Sequence, residues 1–274
     1  MAIGATVALP ELLRRGYDKV MITGVIQGGS SLGIMGPPSV VLILYAMIAR
    51  QPVLQLWLAG IGPFILMAIV FTLYIYIRCR LQPELGPALP AEERAKITWH
   101  EKLVLLREGL LPFGLFAIIM GLFFSGTTSL VETSMVGALL ALLAAWVTGK
   151  LDRRVIEETT RNTLSVSAMF LWIILGALCF SAVYDGLGAI KAIENLLLHT
   201  WELSPWGVLS MMLLSFIILG MFLDDTAMLV IVAPLYIPLV RMLGFDLIWF
   251  GVLYTITCQI AYITPPFGYN LFLM

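Results

Sequence analysis

Five apolar stretches, at residues 20 to 47, 53 to 77, 108 to 125, 131 to 148 and 164 to 184, are each long enough to cross a bilayer, and this constrains the chain more than any other feature. Hydrocarbon offers backbone amides no partner. A spanning segment must therefore close its hydrogen bonds within itself, which for single runs of about 20 residues means a helix. Composition agrees, with 60% hydrophobic and 12% charged residues against roughly 45–50% and about 25% in an ordinary soluble domain. A water-soluble globule is excluded. Sixteen Lys+Arg against seventeen Asp+Glu leave a net charge of -1, which gives no reason to expect nucleic acid as a partner. Cys79, Cys179 and Cys258 lie far apart, and His100 and His199 have no cysteine at metal-ligand spacing, so neither a disulfide framework nor a zinc site is expected. The first residues lack a basic start and meet Pro10 and Glu11 early, so they do not read as a signal peptide.

Basic residues sort the connections. Arg14, Arg15 and Lys19 precede the first stretch; Arg78, Arg80, Arg94, Lys96, Lys102 and Arg107 follow the second; Lys150, Arg153, Arg154 and Arg161 follow the fourth. The alternate connections hold only Arg50, Lys191 and Arg241. The positive-inside bias makes the first set cytoplasmic, with the turn at 14 to 19 inside and that at 241 to 246 outside. Residues 79 to 102 form the long polar stretch, expected to be a solvated cytoplasmic loop. In 186 to 203, Ile190, Ile193, Leu197 and Trp201 share one helical face, as in an interfacial amphipathic helix. Trp57, Trp99, Trp146, Trp172, Trp201, Trp206 and Trp249 lie mostly near span ends and are expected to be interfacial anchors.

After Ser204 the only charges are Asp224, Asp225, Arg241 and Asp246. Gly220, Pro234 and Pro238 are predicted to break the run 205 to 243, and Thr264, Pro265, Pro266 and Gly268 the run 247 to 274.

An internal repeat underlies these breaks. At an offset of 228 residues, Pro10 pairs with Pro238, Gly16 with Gly244, Asp18 with Asp246, Pro37 with Pro265 and Pro38 with Pro266. Each copy has a Gly-aromatic-Asp turn followed by an apolar helix that runs into a double proline. Two prolines remove two N–H donors and disfavour helix at the residue before them, so the helix opens and frees carbonyls. Such an opening persists in a membrane only where it is buried in protein or lines a polar cavity. With the two turns assigned to opposite sides, the copies are expected to be inverted, the arrangement of secondary transporters with a site near the midplane.

Asp224 and Asp225, in the middle of an apolar run, suggest the tip of a re-entrant hairpin. Two readings of Asp224 stand: a cap on the second half-helix with Thr226 just inside it, or a part in cation or substrate binding. The oxygens near Gly33, Gly36, Ala261 and Thr264 suit a hard cation such as sodium. Glu132 is read as the N-terminal dipole partner of its helix.

The stretches LPELLRRGYDKVMITGVIQGGSSLGIMGPPSVVLILYAMI, TTSLVETSMVGALLA and LGMFLDDTAMLVIVAPLYIPLVRMLGFDLIWFGVLYTITCQIAYITPPFGYNLF resemble parts of the large membrane subunit of tripartite ATP-independent periplasmic (TRAP) transporters. The resemblance implies an all-α membrane protein with an inverted repeat, a re-entrant hairpin, two discontinuous helices and an elevator-like movement. It implies a multi-pass, sodium-driven symporter of the bacterial inner membrane, not an enzyme, with no catalytic residue and no cofactor or metal beyond the coupling sodium. Its partners would be a small four-helix membrane subunit, a periplasmic binding protein and an organic anion such as a carboxylate or sialic acid. Carried over by position, sodium sites would involve Gly33, Gly36 and Pro37, and Gly220, Ala261, Thr264 and Pro265. Ser31, Asp224, Asp225 and Thr226 would face substrate. Residues 1 to 50 would hold the end of the first hairpin and the first broken helix, 51 to 204 the scaffold, and 205 to 274 the second hairpin and broken helix. Family members are longer, so a fragment is expected. Gly36 and Ala261 depart from the family pattern, standing where an aliphatic residue and a glycine are expected.

Two alternatives accompany this reading. One is a sodium-carboxylate symporter without a binding protein. The other is an intramembrane aspartyl protease built on Asp185 with Asp224 or Asp225, although the Gly-x-Gly-Asp pattern is missing.

Overall fold

The computed structural model describes residues 4–87, 99–196 and 202–265, and every regular element among them is helical. After a wide helical turn at Gly4–Ala8, the helices are α1 (Leu9–Arg14), α2 (Lys19–Leu32), α3 (Val40–Ala49), α4 (Val53–Leu81), α5 (Trp99–Phe124), α6 (Leu130–Val147), α7 (Arg153–Gly186), α8 (Ala189–Glu194), α9 (Pro205–Gly220), α10 (Asp225–Met242) and α11 (Leu247–Tyr262). They fall into two compact units, one of residues 1–87 and 171–274, the other of residues 88–170.

Among the described residues, four helices are long and apolar enough to span a membrane: α4, α6, α7 and α10. In α4, α6 and α7 only 6% of the apolar window is buried in protein, whereas in α10 it is 44%. The first three thus offer lipid-type surfaces, and α10 is the most protein-buried of the four. The apolar helices α3, α9 and α11 have 10, 16 and 16 residues. At about 1.5 Å per residue they reach roughly 15 to 24 Å, short of a hydrocarbon core of about 30 Å, so each is too short to cross it alone.

The repeat is reproduced bond by bond at its turns. Gly16 and Gly244 adopt φ of 78° and 77°, a left-handed conformation that glycine takes without steric cost. The next residues, Tyr17 and Phe245, donate their N–H groups 3.1 Å back to Leu12 and Val240, closing the preceding helices in the same way. Asp18 and Asp246 then accept from the N–H groups of Met21 and Trp249 at 2.9 and 2.7 Å, capping α2 and α11. Ser39, Ser129 and Ser204 cap α3, α6 and α9. Glu132 completes a capping box with Ser129, its carboxylate accepting the Ser129 N–H at 2.7 Å, which accounts for its place at the helix start. On α1, the exposed Arg14 and Arg15 pair with Glu11 at 3.0 and 2.7 Å, and the hydrogen bond from Arg15 holds the Glu11 carboxyl below its ordinary value.

As the double proline predicts, stretch 20 to 47 is two helices, α2 and α3, separated at Pro37–Pro38. Other expectations are corrected. Pro234 and Pro238 do not break their run: α10 passes through both, and only Gly220 and the residues after it interrupt 205 to 243. Four residues apart, the prolines strip donors from the carbonyls of Val230 and Pro234, and neighbouring helices can sustain such losses. The polar stretch 79 to 102 begins and ends in helix, since α4 reaches Leu81 and α5 starts at Trp99; residues 88–98 lie outside the described part. Of the amphipathic helix expected at 186 to 203, the six residues of α8 are described, and Leu197 and Trp201 lie outside. Trp57 is no interfacial anchor: it is 1% exposed and sits in the core.

That core belongs to the first unit, where α3, α4, α9, α10 and α11 meet. The Tyr45 hydroxyl donates to the Leu247 carbonyl at 2.7 Å, and the Phe216 ring meets Tyr254 edge-on at 4.8 Å. Near its start α11 lies beside the start of α4, since a Cβ on Gly251 would fall 2.9 Å from Leu56 Cδ2. At that same end Arg241 donates to the Ala49 carbonyl at 3.2 Å. The start of α2 lies at the other end of α4, where the Asp18 N–H donates to Leu85 at 3.2 Å. The two capped helices therefore begin at opposite ends of α4. Each of these bonds also joins two connections that the basic residues assign to one side of the membrane.

Candidate functional site

In the first copy, Pro37 and Pro38 leave the carbonyls of Gly33 and Ile34 without their helical donors. The Ser39 hydroxyl turns back to the Ile34 carbonyl, and the Gly33 oxygen keeps no helical donor. Residues 33 to 36 form a tight turn, with Gly36 donating to Leu32 at 3.1 Å. Two aromatic side chains of α4 fix the opening. The buried Trp57 indole donates to the Ser39 carbonyl at 3.3 Å, and Phe64 lies so close that a Cβ on Gly36 would fall 2.9 Å from its ring edge. Gly36 thus leaves room for Phe64. Ser31 is buried one turn before the opening, its hydroxyl donating to Gly28 at 2.9 Å.

In the second copy, α11 ends at Tyr262, Thr264 donates its N–H to Ala261 at 3.1 Å, and its hydroxyl donates to Ile260 at 2.6 Å. Both oxygen lone pairs of the Thr264 hydroxyl stay free of that donated proton. Pro265 closes the described part, and Pro266 lies outside it.

The tip of the hairpin is the turn Met221–Asp224 between α9 and α10. Asp224 caps α10, accepting from Ala227 at 2.7 Å, which settles its structural role. Asp225, half-buried, faces α11. Its carbonyl accepts the Tyr254 hydroxyl at 2.6 Å and its carboxylate accepts from the Tyr262 hydroxyl. Tyr254, Cys258 and Tyr262, spaced four apart, form one row along α11. Thr226 donates its N–H to the Asp225 carboxylate at 2.9 Å. Gly220 meets Ala261, so the hairpin tip and the end of α11 are one assembly.

The structure thus gathers Gly220, Asp224, Asp225, Thr226, Ala261, Thr264 and Pro265 around the hairpin tip and the end of α11. It gathers Ser31, Gly33, Gly36 and Pro37 around the end of α2. Sequence reasoning missed Trp57, Tyr254, Tyr262 and Gln259. Gln259 had a signal: the 228-residue offset carries Ser31 onto it. Trp57 had none, because its partner is a backbone carbonyl 18 residues away.

The family model for the tripartite ATP-independent periplasmic transporter DctM component matches residues 1–274. The C4-dicarboxylate TRAP transporter large permease protein of Pseudomonas aeruginosa is 29% identical over 99% of the chain. The ectoine/5-hydroxyectoine TRAP transporter large permease protein of Ruegeria pomeroyi is 28% identical over 99%. In both cases the chain spans 62% of the relative's length. The sialic acid TRAP transporter permease protein of Haemophilus influenzae is 28% identical over 94% of the chain, which covers 41% of that relative.

Proposed function

From its membership of the DctM-component family of tripartite ATP-independent periplasmic transporters, we propose that this chain forms the ion-coupled core of a permease that brings a carboxylated organic solute into a bacterial cell. The family is one of transporter permeases rather than enzymes, which displaces the protease alternative. A periplasmic binding protein delivers the solute and a small membrane subunit completes the complex at the inner membrane. Sodium enters as a cargo ion. The Gly33 oxygen and the turn to Pro37 hold one ion, and the Thr264 hydroxyl with the Gly220–Ala261 contact shapes the place of another. Asp225 and Thr226, at the hairpin tip, lie toward the solute.

The observation that carries this reading is the pair of capped helices that start at opposite ends of α4 and both run toward a double proline. Paired openings of opposite origin supply carbonyl oxygens to a shared mid-membrane site, which a simple bundle of kinked helices does not do. Reconstituted in proteoliposomes with its partners, the complex takes up solute faster with an inward sodium gradient. Equal rates with and without the gradient would remove sodium coupling.

A further inference from the structure

Two rows of buried polar side chains lie on the repeat-related helices. Gln27 and Ser31 on α2 are 8% and 3% exposed, and Thr255 and Gln259 on α11 are 0% and 5% exposed. At the 228-residue offset Gln27 pairs with Thr255 and Ser31 with Gln259, so the copies share these buried polar positions as well as their caps and prolines. Helices α2 and α11 pack against one another. On α11 this row lies about 100° round the helix from the Tyr254–Cys258–Tyr262 row that serves the hairpin tip. The row is therefore not needed to hold Asp225.

Within it, the hydroxyl protons are committed. Ser31 donates to Gly28 and Thr255 to Gly251, both at 2.9 Å. The Nε2 group of Gln259 is buried and has no hydrogen-bond partner among the described residues. A buried donor left unmade is destabilising, and the chain would lose nothing by carrying an apolar residue there unless something outside the described fold completes the bond. An amide N–H repels a cation and attracts oxygen acceptors, so sodium is the wrong partner. A carboxylate or hydroxyl oxygen of a solute is the right one, and a carboxylate makes the stronger bond.

We propose that Gln259 contacts the transported solute, its side-chain Nε2 group donating to a solute oxygen. The assignment rests on the transport reading above and adds to it the group that selects an oxygen-bearing solute.

The test uses the full complex in proteoliposomes with a fixed panel of labelled succinate, N-acetylneuraminate and 2,3-diketo-L-gulonate; the probe is the member that the wild type accumulates. Gln259→Leu is expected to raise the KM for that probe roughly ten- to a hundredfold, the loss of one hydrogen bond to a charged group. The sodium half-saturation at saturating probe stays unchanged, and the unfolding temperature stays at or above that of the wild type, because the unpaired donor has gone. Gln259→Glu keeps the shape and adds a like charge, so its KM rises at least as far; this variant decides the matter if the leucine variant fails to assemble. An unchanged KM in the assembled variants overturns the inference and leaves the transport reading standing. So does a lowered unfolding temperature with unchanged KM, the mark of a purely structural glutamine. A wild type that accumulates no panel member removes the transport reading and this inference together.

Discussion

Gly220 at the end of α9 and Ala261 at the end of α11 touch so closely that a Cβ on Gly220 would lie 2.6 Å from that of Ala261. Gly220 provides the space that the Ala261 methyl group occupies. Gly220→Ala should therefore destabilise the protein by about 1–3 kcal/mol, as overpacked contacts do. Adding Ala261→Gly should restore most of the loss. Thermal unfolding of the four proteins of this double-mutant cycle measures it, and simple additivity would show that the contact is slack.

The matched caps make matched predictions. Asp18→Ala and Asp246→Ala should each cost about 0.5–2 kcal/mol, with Asn in place of either Asp retaining most of the stability. The two alanine variants should lie close together, because each removes one side-chain acceptor from the same backbone position. Unfolding of the solubilised protein in a denaturant series is the measurement, and a large difference between the two would count against equivalent turns.

Trp57 holds the Ser39 carbonyl at the first opening. Trp57→Phe keeps an aromatic ring in the core and deletes the indole N–H, a loss of about 1 kcal/mol for one neutral hydrogen bond. If that bond fixes the geometry of the opening, the sodium half-saturation should rise about fivefold while the maximal rate at saturating sodium persists. An unchanged sodium dependence in the assembled variant would show that the opening holds its shape without the indole.

Thr264 donates its hydroxyl proton to Ile260, which turns its lone pairs outward from that bond. Thr264→Ala should raise the sodium half-saturation several-fold, and Thr264→Ser should behave like the wild type, since serine keeps the hydroxyl. Uptake rates across a sodium titration distinguish the two. Equal behaviour of the alanine and serine variants would exclude the hydroxyl as a ligand.

The capping box of α6 belongs to the other unit. Glu132→Ala should lower stability slightly through the lost Ser129 contact, with the sodium half-saturation unchanged. A changed ion dependence would give Glu132 a role beyond its helix.

The sequence by itself determined the helical class, the turns at Gly16–Asp18 and Gly244–Asp246, and the opening at Pro37–Pro38, with a cap as one of two readings of Asp224. Each depends on groups within about five residues of one another: a missing N–H, a short acceptor side chain, a glycine with positive φ. Only the tertiary structure decided that Trp57 turns inward, that α10 runs unbroken through Pro234 and Pro238, that Gly220 accommodates Ala261, and that the Gln259 Nε2 group is buried without a partner among the described residues. Burial is set by which helix lies alongside, and apolar periodicity does not distinguish a face turned to lipid from one turned to protein, since both are apolar.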